Sequence, residues 1–571
     1  MIKNGFLFPY QATIIGLMLL LSSSTAWAQA DIQYFFTYVG ADQFDTVYDT
    51  HIREENGEEY IYAVGSSMRH HSNGQPTLDA FVAKYHLHNQ QLIFTEFFSG
   101  AEHESARQLV LDESGFIYVV GETNSTDFPI TNDAQIHQGQ WDAFILKLDS
   151  DTGDRVYATY FGGSANDFGH AIAVDQQQRI YISGETYSTD LPTSDNAFIK
   201  NCLEQNICST NGENPSNAFI MQLDTRNAAA RPAYTSYFGG SGTDKSHSIA
   251  IDVFDHVHIA GDTNSIDLPS KSAYQTQLAG GFDGFIARFN VIASKNDQSL
   301  QTAGYFGGLH DDTINTIGLD ELGNLWIAGE TASENLPTTR HAFDRSCGDD
   351  FTPCQLNGSQ QHNDAYIAKF SHAAGGVLLY SSYWGGRSND AILHLSIASD
   401  ARLFVVGMTE SPNLAITDNA YDQACGENQL CDNNNDGFIA FFKIENQVPA
   451  RLLYSSYFGG QDADQIHSLS HNQHHIVVGG STFSALLGSS GAPDSQCGEF
   501  GSCINNQGDR LSDGFIAALD FPLPGTIIKG GDSVKVSKKT RARPAAFSLY
   551  LFIVFLGGYW GFVRLNRRLN A

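Results

Sequence analysis

The feature that most constrains this chain is a sequence unit that recurs seven times. Each copy opens with an aromatic pair followed by small residues, as in Tyr160-Phe161-Gly162-Gly163. The seven copies begin at Tyr38, Phe97, Tyr160, Tyr237, Tyr305, Tyr383 and Tyr457. A sequence unit that recurs many times along a chain is typical of solenoids, propellers and other repeat arrays. One large ring is therefore favoured over several unrelated domains for the 571 residues.

Two further motifs follow in each unit. A β-rich run ends in Gly-x-Thr-x-Ser, with its glycine at Gly121, Gly184, Gly261, Gly329, Gly407 and Gly480, and a diverged copy at Gly65. The other motif is an Asp or Asn followed by a small residue and then by an aromatic residue that leads into a short strand. Its first residue is Asp79, Asp142, Asn217, Asp283, Asp364, Asp436 and Asp513. Each unit thus contains four short β segments. The sequence predicts an all-β fold, a seven-bladed β-propeller of four-stranded antiparallel blades over residues 31–521.

The two ends of the repeat region suggest how the ring closes. A single sheet cannot bury both of its faces, but seven sheets arranged radially can pack against one another. The region begins with a strand at 34–38 and ends with a strand at 515–519. We therefore predict that the N-terminal strand completes the blade that the last repeat begins.

The motifs resemble the bacterial β-propeller repeat known as SBBP. The third copy shows the likeness best, running from Tyr160-Phe161-Gly162-Gly163 through Ile-Ala-Val-Asp, Gly-Glu-Thr-Tyr-Ser and Asp-Leu-Pro-Thr to Asn-Ala-Phe-Ile. The resemblance covers residues 34–520 and is weaker in the first and seventh copies. It implies a propeller in an exported setting, and it does not imply a reaction.

The first 30 residues have the features of a secretory signal peptide. Lys3 precedes an apolar stretch, and small residues at Ala26, Ala28 and Ala30 offer two cleavage patterns. We expect cleavage near Gln29 or Asp31, and a retained N-terminal anchor is the alternative. Cleavage places the propeller outside the cytoplasm.

The C-terminal end predicts a membrane anchor. Residues 545–563 carry no charge and are about long enough to cross a hydrocarbon core. Residues 564–571 form a short arginine-rich tail, expected in the cytoplasm, and 522–544 form a basic, flexible linker. A surface-sorting tail that a processing enzyme removes is the alternative. The expected location is the cell envelope, with the propeller in the periplasm or at the cell surface.

The charge of the exported body narrows the range of partners. Residues 31–528 contain 22 Lys and Arg against 62 Asp and Glu, a net charge of about −40. Such a field repels phosphate backbones, so nucleic acid is not an expected partner. Cations, basic proteins and neutral glycans remain acceptable partners, and simple solubility is the plainer interpretation of the charge. We expect a monomer.

Eight cysteines form four close pairs in the sequence. All of them lie between the Gly-x-Thr-x-Ser motif and the following Asp-aromatic motif, in the four longest of the seven intervals. Paired cysteines in an exported protein predict disulfides rather than zinc knuckles. The predicted pairs, on one face of the disc, are Cys202 with Cys208, Cys347 with Cys354, Cys425 with Cys431, and Cys497 with Cys503.

An acid recurs at one position in all seven copies. It stands four residues after the last small residue of the first motif, at Asp45, Glu104, Asp167, Asp244, Asp312, Asp390 and Asp464. These acids are the candidate ligand-binding residues at one mouth of the channel. The alternative is structural: each carboxylate accepts backbone N–H bonds in the turn, and the His three residues further on, as at His170, His247 and His467, bonds to it.

Other metal signals are incomplete. Asp432, Asn434 and Asp436 copy the first half of a calcium loop, but Lys443 stands where a bidentate Glu is needed. Asp149, Asp151 and Asp154 are similar, and both segments read as turns. His471, His474 and His475 form a cluster that favours a solvated surface over a metal site, because neighbouring strand residues point to opposite faces. No cofactor or metal is expected, with calcium as the alternative.

No catalytic motif stands out, since nucleophile elbows, His-Glu-x-x-His, phosphate loops and dinucleotide fingerprints are all missing from the sequence. The sequence favours a binding or scaffolding module of the cell envelope, whose loop face recognises a protein or a glycan. The alternative is a glycan hydrolase or lyase with its site in the central funnel. An enzyme is expected to break the sevenfold pattern at one spot.

Overall fold

A computed structural model of the chain describes residues 35–40, 44–71, 76–131, 135–208, 215–225, 232–292, 296–348, 354–356, 360–372, 376–426, 431, 434–444, 450–484 and 511–520. The predicted signal peptide, linker, C-terminal anchor and tail, and the pair Cys497 and Cys503, lie outside these residues. Among the described residues, no helix is both long enough and apolar enough to cross a membrane.

The described chain is almost entirely β-structure. A single short helix, α1 (Asn296–Ser299), lies between β16 and β17. In chain order the strands are β1 (Phe35–Val39), β2 (Asp45–Glu55), β3 (Glu58–His70), β4 (Pro76–His86), β5 (Gln91–Phe98), β6 (Glu104–Leu111), β7 (Phe116–Thr123), β8 (Asp142–Asp149), β9 (Arg155–Phe161), β10 (Asp167–Val174), β11 (Arg179–Thr186), β12 (Asn217–Asp224), β13 (Pro232–Phe238), β14 (Asp244–Ile251), β15 (Val257–Thr263), β16 (Asp283–Phe289), β17 (Leu300–Phe306), β18 (Asp312–Leu319), β19 (Leu325–Thr331), β20 (Gln355–Leu356), β21 (Gln360–Gln361), β22 (Asp364–Phe370), β23 (Leu378–Trp384), β24 (Asp390–Ile397), β25 (Arg402–Thr409), β26 (Asp436–Lys443), β27 (Arg451–Phe458), β28 (Asp464–His471), β29 (His475–Thr482) and β30 (Asp513–Asp520).

Seven four-stranded antiparallel sheets form the blades, which confirms the predicted architecture. Blades 1 to 4 are β2–β5, β6–β9, β10–β13 and β14–β17. Blade 5 is β18, β19, β22 and β23, with the small hairpin β20–β21 in its long loop, and blade 6 is β24–β27. The first strand of each blade packs against the first strand of the next, and β2 packs against β28, so the ring is closed.

The seventh blade is assembled from both ends of the repeat region. Its order is β28, β29, β30, β1, and β1 pairs antiparallel with β30 from Phe35 opposite Ala518 to Val39 opposite Gly514. The predicted closure by the N-terminal strand is therefore confirmed, with the strand one residue later than expected. Phe36 is fully buried and stacks on Phe515, their ring centroids 5.8 Å apart.

The hydrophobic core lies between the blades. Seven clusters of buried residues occur in the described chain, and each joins two neighbouring blades. The cluster between blades 5 and 6, for example, packs Trp326 and Trp384 against Phe438 and Phe442. Each blade is thus apolar on both faces, which only a closed ring can bury.

The disc has two distinct faces. We call the upper face the end at which the innermost strands begin, and the lower face the opposite end. Asp167, the first residue of β10, pairs with Thr186, which in turn pairs with Asn217, so the loop between the second and third strands of a blade leaves from the upper face. The disulfides Cys202–Cys208, Cys347–Cys354 and Cys425–Cys431 lie in such loops, which confirms three predicted pairs and their common face.

The closure can be tested at Phe36. We expect Phe36→Ala to lower the free energy of unfolding by about 3 to 5 kcal/mol, because it removes a buried aromatic ring from the strand that closes the ring. Thermal and urea unfolding followed by circular dichroism measure this loss. Phe44→Ala is the control, because Phe44 is 43% exposed, and it should change stability by less than about 1 kcal/mol. Equal effects of the two substitutions would contradict the closure.

Candidate functional site

The seven repeated acids are enclosed within the blades. Each is the first residue of an innermost strand, and each is at most 1% exposed. Asp244 accepts the Gly240 N–H at 2.8 Å and the Ser265 hydroxyl at 2.9 Å, and it also accepts the Thr263 hydroxyl. The same three donors surround the acids at Asp167, Asp312, Asp390 and Asp464.

This arrangement explains two of the sequence motifs at once. The Thr and Ser of Gly-x-Thr-x-Ser hold the carboxylate, and the small residues of the first motif supply the N–H. Burial raises the pKa of the carboxyl groups to about 7 at Asp167, Asp244, Asp312, Asp390 and Asp464. The acids thus have internal partners of the kind that the structural interpretation expected, and a ligand role for them stays a prediction.

The predicted bond between these acids and the following histidines is not formed. His170 Nδ1 lies 3.0 Å from the Ser246 carbonyl oxygen, and His467 Nε2 lies 3.1 Å from the Ser481 hydroxyl. His247 Nε2 bonds to Asp262. The histidines point elsewhere because each occupies a β-bulge.

Every innermost strand carries this bulge at the same position. In blade 3, Gly169 pairs with Gly184 and Ala171 with Ser183, so His170 is the extra residue. A bulged residue has no direct cross-strand partner, and the bulge redirects its side chain. The seven bulged residues, which we call the collar, are Tyr48, Arg107, His170, His247, Asn315, Leu393 and His467.

The bulge also explains the glycine of Gly-x-Thr-x-Ser. A Cβ at Gly261 would lie 1.8 Å from the carbonyl oxygen of Lys245 on the bulged strand. Equivalent contacts of 1.8 to 2.0 Å occur at all seven glycines. Only a residue without a side chain fits, because the obstacle is backbone.

Collar residues contact one another across blade boundaries. The His170 and His247 rings stack with centroids 5.8 Å apart. The Arg107 guanidinium lies over the Tyr48 ring at 4.5 Å, and the Tyr48 and His467 ring centroids are 5.9 Å apart. Burial lowers the pKa of His170 to about 3 and of His467 to about 4, so both are neutral at pH 7. Because a carbonyl only accepts, His170 carries its proton on Nδ1 and keeps a lone pair on Nε2.

Beside the collar, four consecutive blades present an acid. The residue after the motif glycine is acidic in blades 2 to 5 and is Met408, Ser481 or Ser66 in the others. Arg107 Nε donates to Glu122 at 2.7 Å, and Lys245 Nζ lies 3.9 Å from Glu185. We call this set the acidic arc, and its members are Glu122, Glu185, Asp262 and Glu330.

Two of these carboxylates are deeply buried. Glu122 is 3% exposed and Glu185 is 8% exposed, and burial raises the pKa of both. The second oxygen of Glu122, Oε2, has no hydrogen-bond partner among the described residues. The arc therefore combines negative charge with hydrogen-bonding capacity that the blades do not satisfy.

Aromatic rings from blades 2 and 3 flank the arc. Phe168 pairs across the strands with Glu185. Its ring centroid lies 6.2 Å from that of Trp141 and 6.5 Å from that of Tyr187. Such rings are suited to stacking on apolar or cationic groups of a ligand.

Sequence reasoning identified the three histidines of the collar but missed the acidic arc, Tyr48 and the aromatic group. A signal was present, because the variable residue of Gly-x-Thr-x-Ser reads Glu, Glu, Asp and Glu in four consecutive copies. Of the two segments interpreted as turns rather than calcium loops, the one at Asp149 is a hydrogen-bonded turn: the Asp149 carboxylate accepts the N–H groups of Asp151 and Thr152 at 3.0 Å each. Asp432 lies outside the described residues, and Asp436 accepts the Gly426 N–H at 2.9 Å.

Among the described residues, the group whose ligand atoms lie closest to a metal-site geometry is Cys347, Cys354 and Asp364. Its two cysteines are joined as a disulfide, so their sulfurs are not thiolate ligands.

Comparison with known proteins supports the repeat. Residues 105–129 and 156–192 match the family model described as SBBP, Beta-propeller repeat. No curated protein matches the chain. Among solved structures, an acylaminoacyl peptidase of Pyrococcus horikoshii is similar with 9% identity and a TM-score of 0.34, over 76% of this chain and 49% of that one. The chain thus spans about half the length of that peptidase.

The glycine–carbonyl contact can be tested by Gly261→Ala. We expect a large loss of thermal stability, because the added methyl group meets backbone that cannot move without breaking the β14–β15 ladder. Gly57→Ala is the control, since Gly57 has a φ of +84° and nothing within 4 Å of an added Cβ. Gly57→Ala should lower the free energy of unfolding by only about 1 kcal/mol, the cost of placing an alanine in the left-handed backbone conformation. A Gly261→Ala protein as stable as the control would refute the bulge explanation.

The raised pKa of the enclosed acids predicts a pH effect. Asp390 has a pKa of about 7 when folded and about 4 when unfolded, so the folded state holds a proton that the unfolded state releases. The stability from protonated Asp390 is complete below about pH 4 and is lost as the pH rises through 7. We expect the melting temperature of Asp390→Asn, relative to the unsubstituted protein, to rise from pH 5 to pH 8.

Asp151→Asn is the control, because the Asp151 side chain is 88% exposed. Its melting curve should run parallel to that of the unsubstituted protein over the same range. If the melting temperature of Asp390→Asn also ran parallel to that of the unsubstituted protein from pH 5 to pH 8, the raised pKa of Asp390 would be contradicted.

Proposed function

We propose that this SBBP-repeat propeller is an extracytoplasmic binding module that holds a basic segment of a partner protein at the collar, which the segment reaches from the upper face. The observation that carries the proposal is the acidic arc, in which Glu122 and Glu185 are buried and Glu122 Oε2 has no hydrogen-bond partner in the described part of the chain. A Lys or Arg side chain of a ligand supplies a donor for this oxygen, and its positive charge favours the ionised form of the carboxyl group.

The surroundings of the arc support a basic rather than an acidic ligand. The exported body has a net charge of about −40, which attracts cationic partners over long range. Phe168, Trp141 and Tyr187 offer rings against which cations and the apolar stems of Lys and Arg pack. The disulfide loops on the same face give it a rigid rim.

Both ends of the described chain lie at the lower face, which supports a membrane tether attached on that side of the disc. Phe35 and Asp520, at the two ends of the described chain, both lie towards the lower face, since Phe35 pairs with Ala518 and Asp520 with His475. We propose that residues 545–563 anchor the protein in a membrane and that the linker 522–544 holds the disc so that the collar faces away from the lipid. The disulfides agree with an oxidising compartment.

A second candidate is an enzyme that cleaves glycans, as a hydrolase or a lyase, in the same funnel. The observation in its favour is the break in sevenfold symmetry, where the His247–Asp262 pair lies beside the neutral His170. An imidazole oriented by a carboxylate, as His247 is by Asp262, is suited to general acid–base chemistry. Release of new reducing ends from a glycan incubated with the protein would move the assignment to this candidate.

The binding proposal can be tested with a fluorescent twelve-residue peptide of alternating Arg and Gly. We expect the full chain to bind it at low salt and to prefer it to a peptide of alternating Glu and Gly. Replacing both buried acids, in Glu122→Gln with Glu185→Gln, should weaken binding about tenfold, which fluorescence anisotropy measures.

The matched control removes the same charge from the lower face, through Glu113→Gln with Asp151→Asn. Both residues lie in turns at that face, and their loss should leave the affinity unchanged within about twofold. Equal weakening in both double variants would show attraction to overall charge rather than to the arc, and would refute the proposed site.

A further inference from the structure

We propose that a transition-metal ion, with zinc as the expected type, binds at the seam between blades 1 and 7. Its ligands are Glu59 and His88 of blade 1 and His475 of blade 7, which we call the seam cluster. This site lies at the lower face, and it does not depend on the function proposed for the collar.

The three side chains converge on one oxygen atom. Glu59 Oε2 lies 3.0 Å from His88 Nε2 and 2.9 Å from His475 Nδ1. Asn472 of blade 7 donates its side-chain N–H to the other oxygen, Oε1, at 2.5 Å. Residues far apart in the sequence thus meet around one carboxylate.

A cation bound next to the buried Glu59 carboxylate would stabilise it. The residue is only 6% exposed, and its ion-pair partners among the described residues are histidines, with neither Lys nor Arg. A buried carboxylate is costly unless a cation is paired with it or a metal is bound. Imidazole nitrogens are common metal ligands, so the two histidines that contact Glu59 are suited to share an ion with it.

Two of the three edges of the seam cluster match a metal site, and the third, between the His88 and His475 nitrogens, shortens to a bonding arrangement only when a ring turns. Zinc bonds of about 2.0 to 2.2 Å in a tetrahedron place neighbouring ligand atoms about 3.3 Å apart. The two nitrogen–oxygen distances fall just short of that separation, and the His88 and His475 ring centroids lie 5.7 Å apart. His88 lies in a turn with its side chain 46% exposed, so it can rotate as an ion enters.

The neighbouring groups favour a transition metal over calcium. Imidazole ligands suit zinc, copper and nickel, whereas calcium takes oxygen ligands. The His86 ring lies 6.3 Å from the His88 ring, and His86 Nε2 lies 3.2 Å from Glu58. A further imidazole therefore lies close to the seam cluster. The Asn472 bond holds the carboxylate in place, as second-shell groups do in metal sites.

The test uses the full chain, dialysed against EDTA and then titrated with zinc chloride at pH 7.5. We expect one equivalent to bind and the melting temperature to rise by about 4 °C or more, because only the closed seam offers the site. Cobalt in place of zinc should give the visible absorption of a tetrahedral ion. The absence of a zinc-dependent shift in the unsubstituted protein would overturn the proposal.

Substitutions separate the seam cluster from the other histidines. His88→Gln with His475→Gln should weaken zinc binding at least tenfold and abolish the cobalt absorption. His70→Gln with His474→Gln, which removes two histidines with exposed side chains, should leave both unchanged. Binding that survives in the first variant overturns the site. The melting temperature could instead rise on acidification to pH 6 and not change on addition of zinc. Protonated histidine would then supply the charge that pairs with Glu59, and the proposed zinc site would be overturned.

Discussion

The closed ring depends on burial of both faces of every blade. Each of the seven buried clusters draws its residues from two neighbouring sheets, so no blade has a core of its own. A four-stranded sheet left alone would expose one or both apolar faces, and the free energy gained from burial is therefore a property of the circle. Strand β1 completes that circle by adding the fourth strand of blade 7.

Within this frame, the repeated residues hold the scaffold and the variable ones carry the chemistry. The motif glycine makes room for the bulged carbonyl, and the motif Thr and Ser hold the enclosed acid. The glycine contact is the same in every blade, and the same three donors recur around the acids of blades 3 to 7, because the backbone is the same there. The bulged residue and the residue after the glycine are not fixed in this way. They differ between blades, and Arg107, the histidines and the acidic arc occupy these two positions.

The sequence predicted what depends on pattern and could not predict what depends on the closed ring. Blade number, strand content, closure by the N-terminal strand and three disulfides follow from motifs and spacing. The partners of the repeated acids were also within reach, since Thr263 and Ser265 belong to a motif already identified. By contrast, Asn472 and Glu59 are 413 residues apart, and only a ring of this size brings them together. His475 looked like part of a surface cluster because its partners belong to another blade.

The interface between blades 1 and 7 shows how closure and the candidate sites are connected. At the upper face, the Asp45 N–H donates to the Ser512 carbonyl oxygen at 2.9 Å, and Tyr48 meets His467 in the collar. Further down, Phe36 stacks on Phe515 within blade 7. At the lower face, Glu59 meets Asn472 and His475. The blade 1–blade 7 interface thus carries contacts from both candidate sites, with the collar pair Tyr48 and His467 nearer the upper face and Glu59 with His475 at the lower face. The ion proposed at the seam would add a link between blades 1 and 7 on the interface that also forms part of the collar.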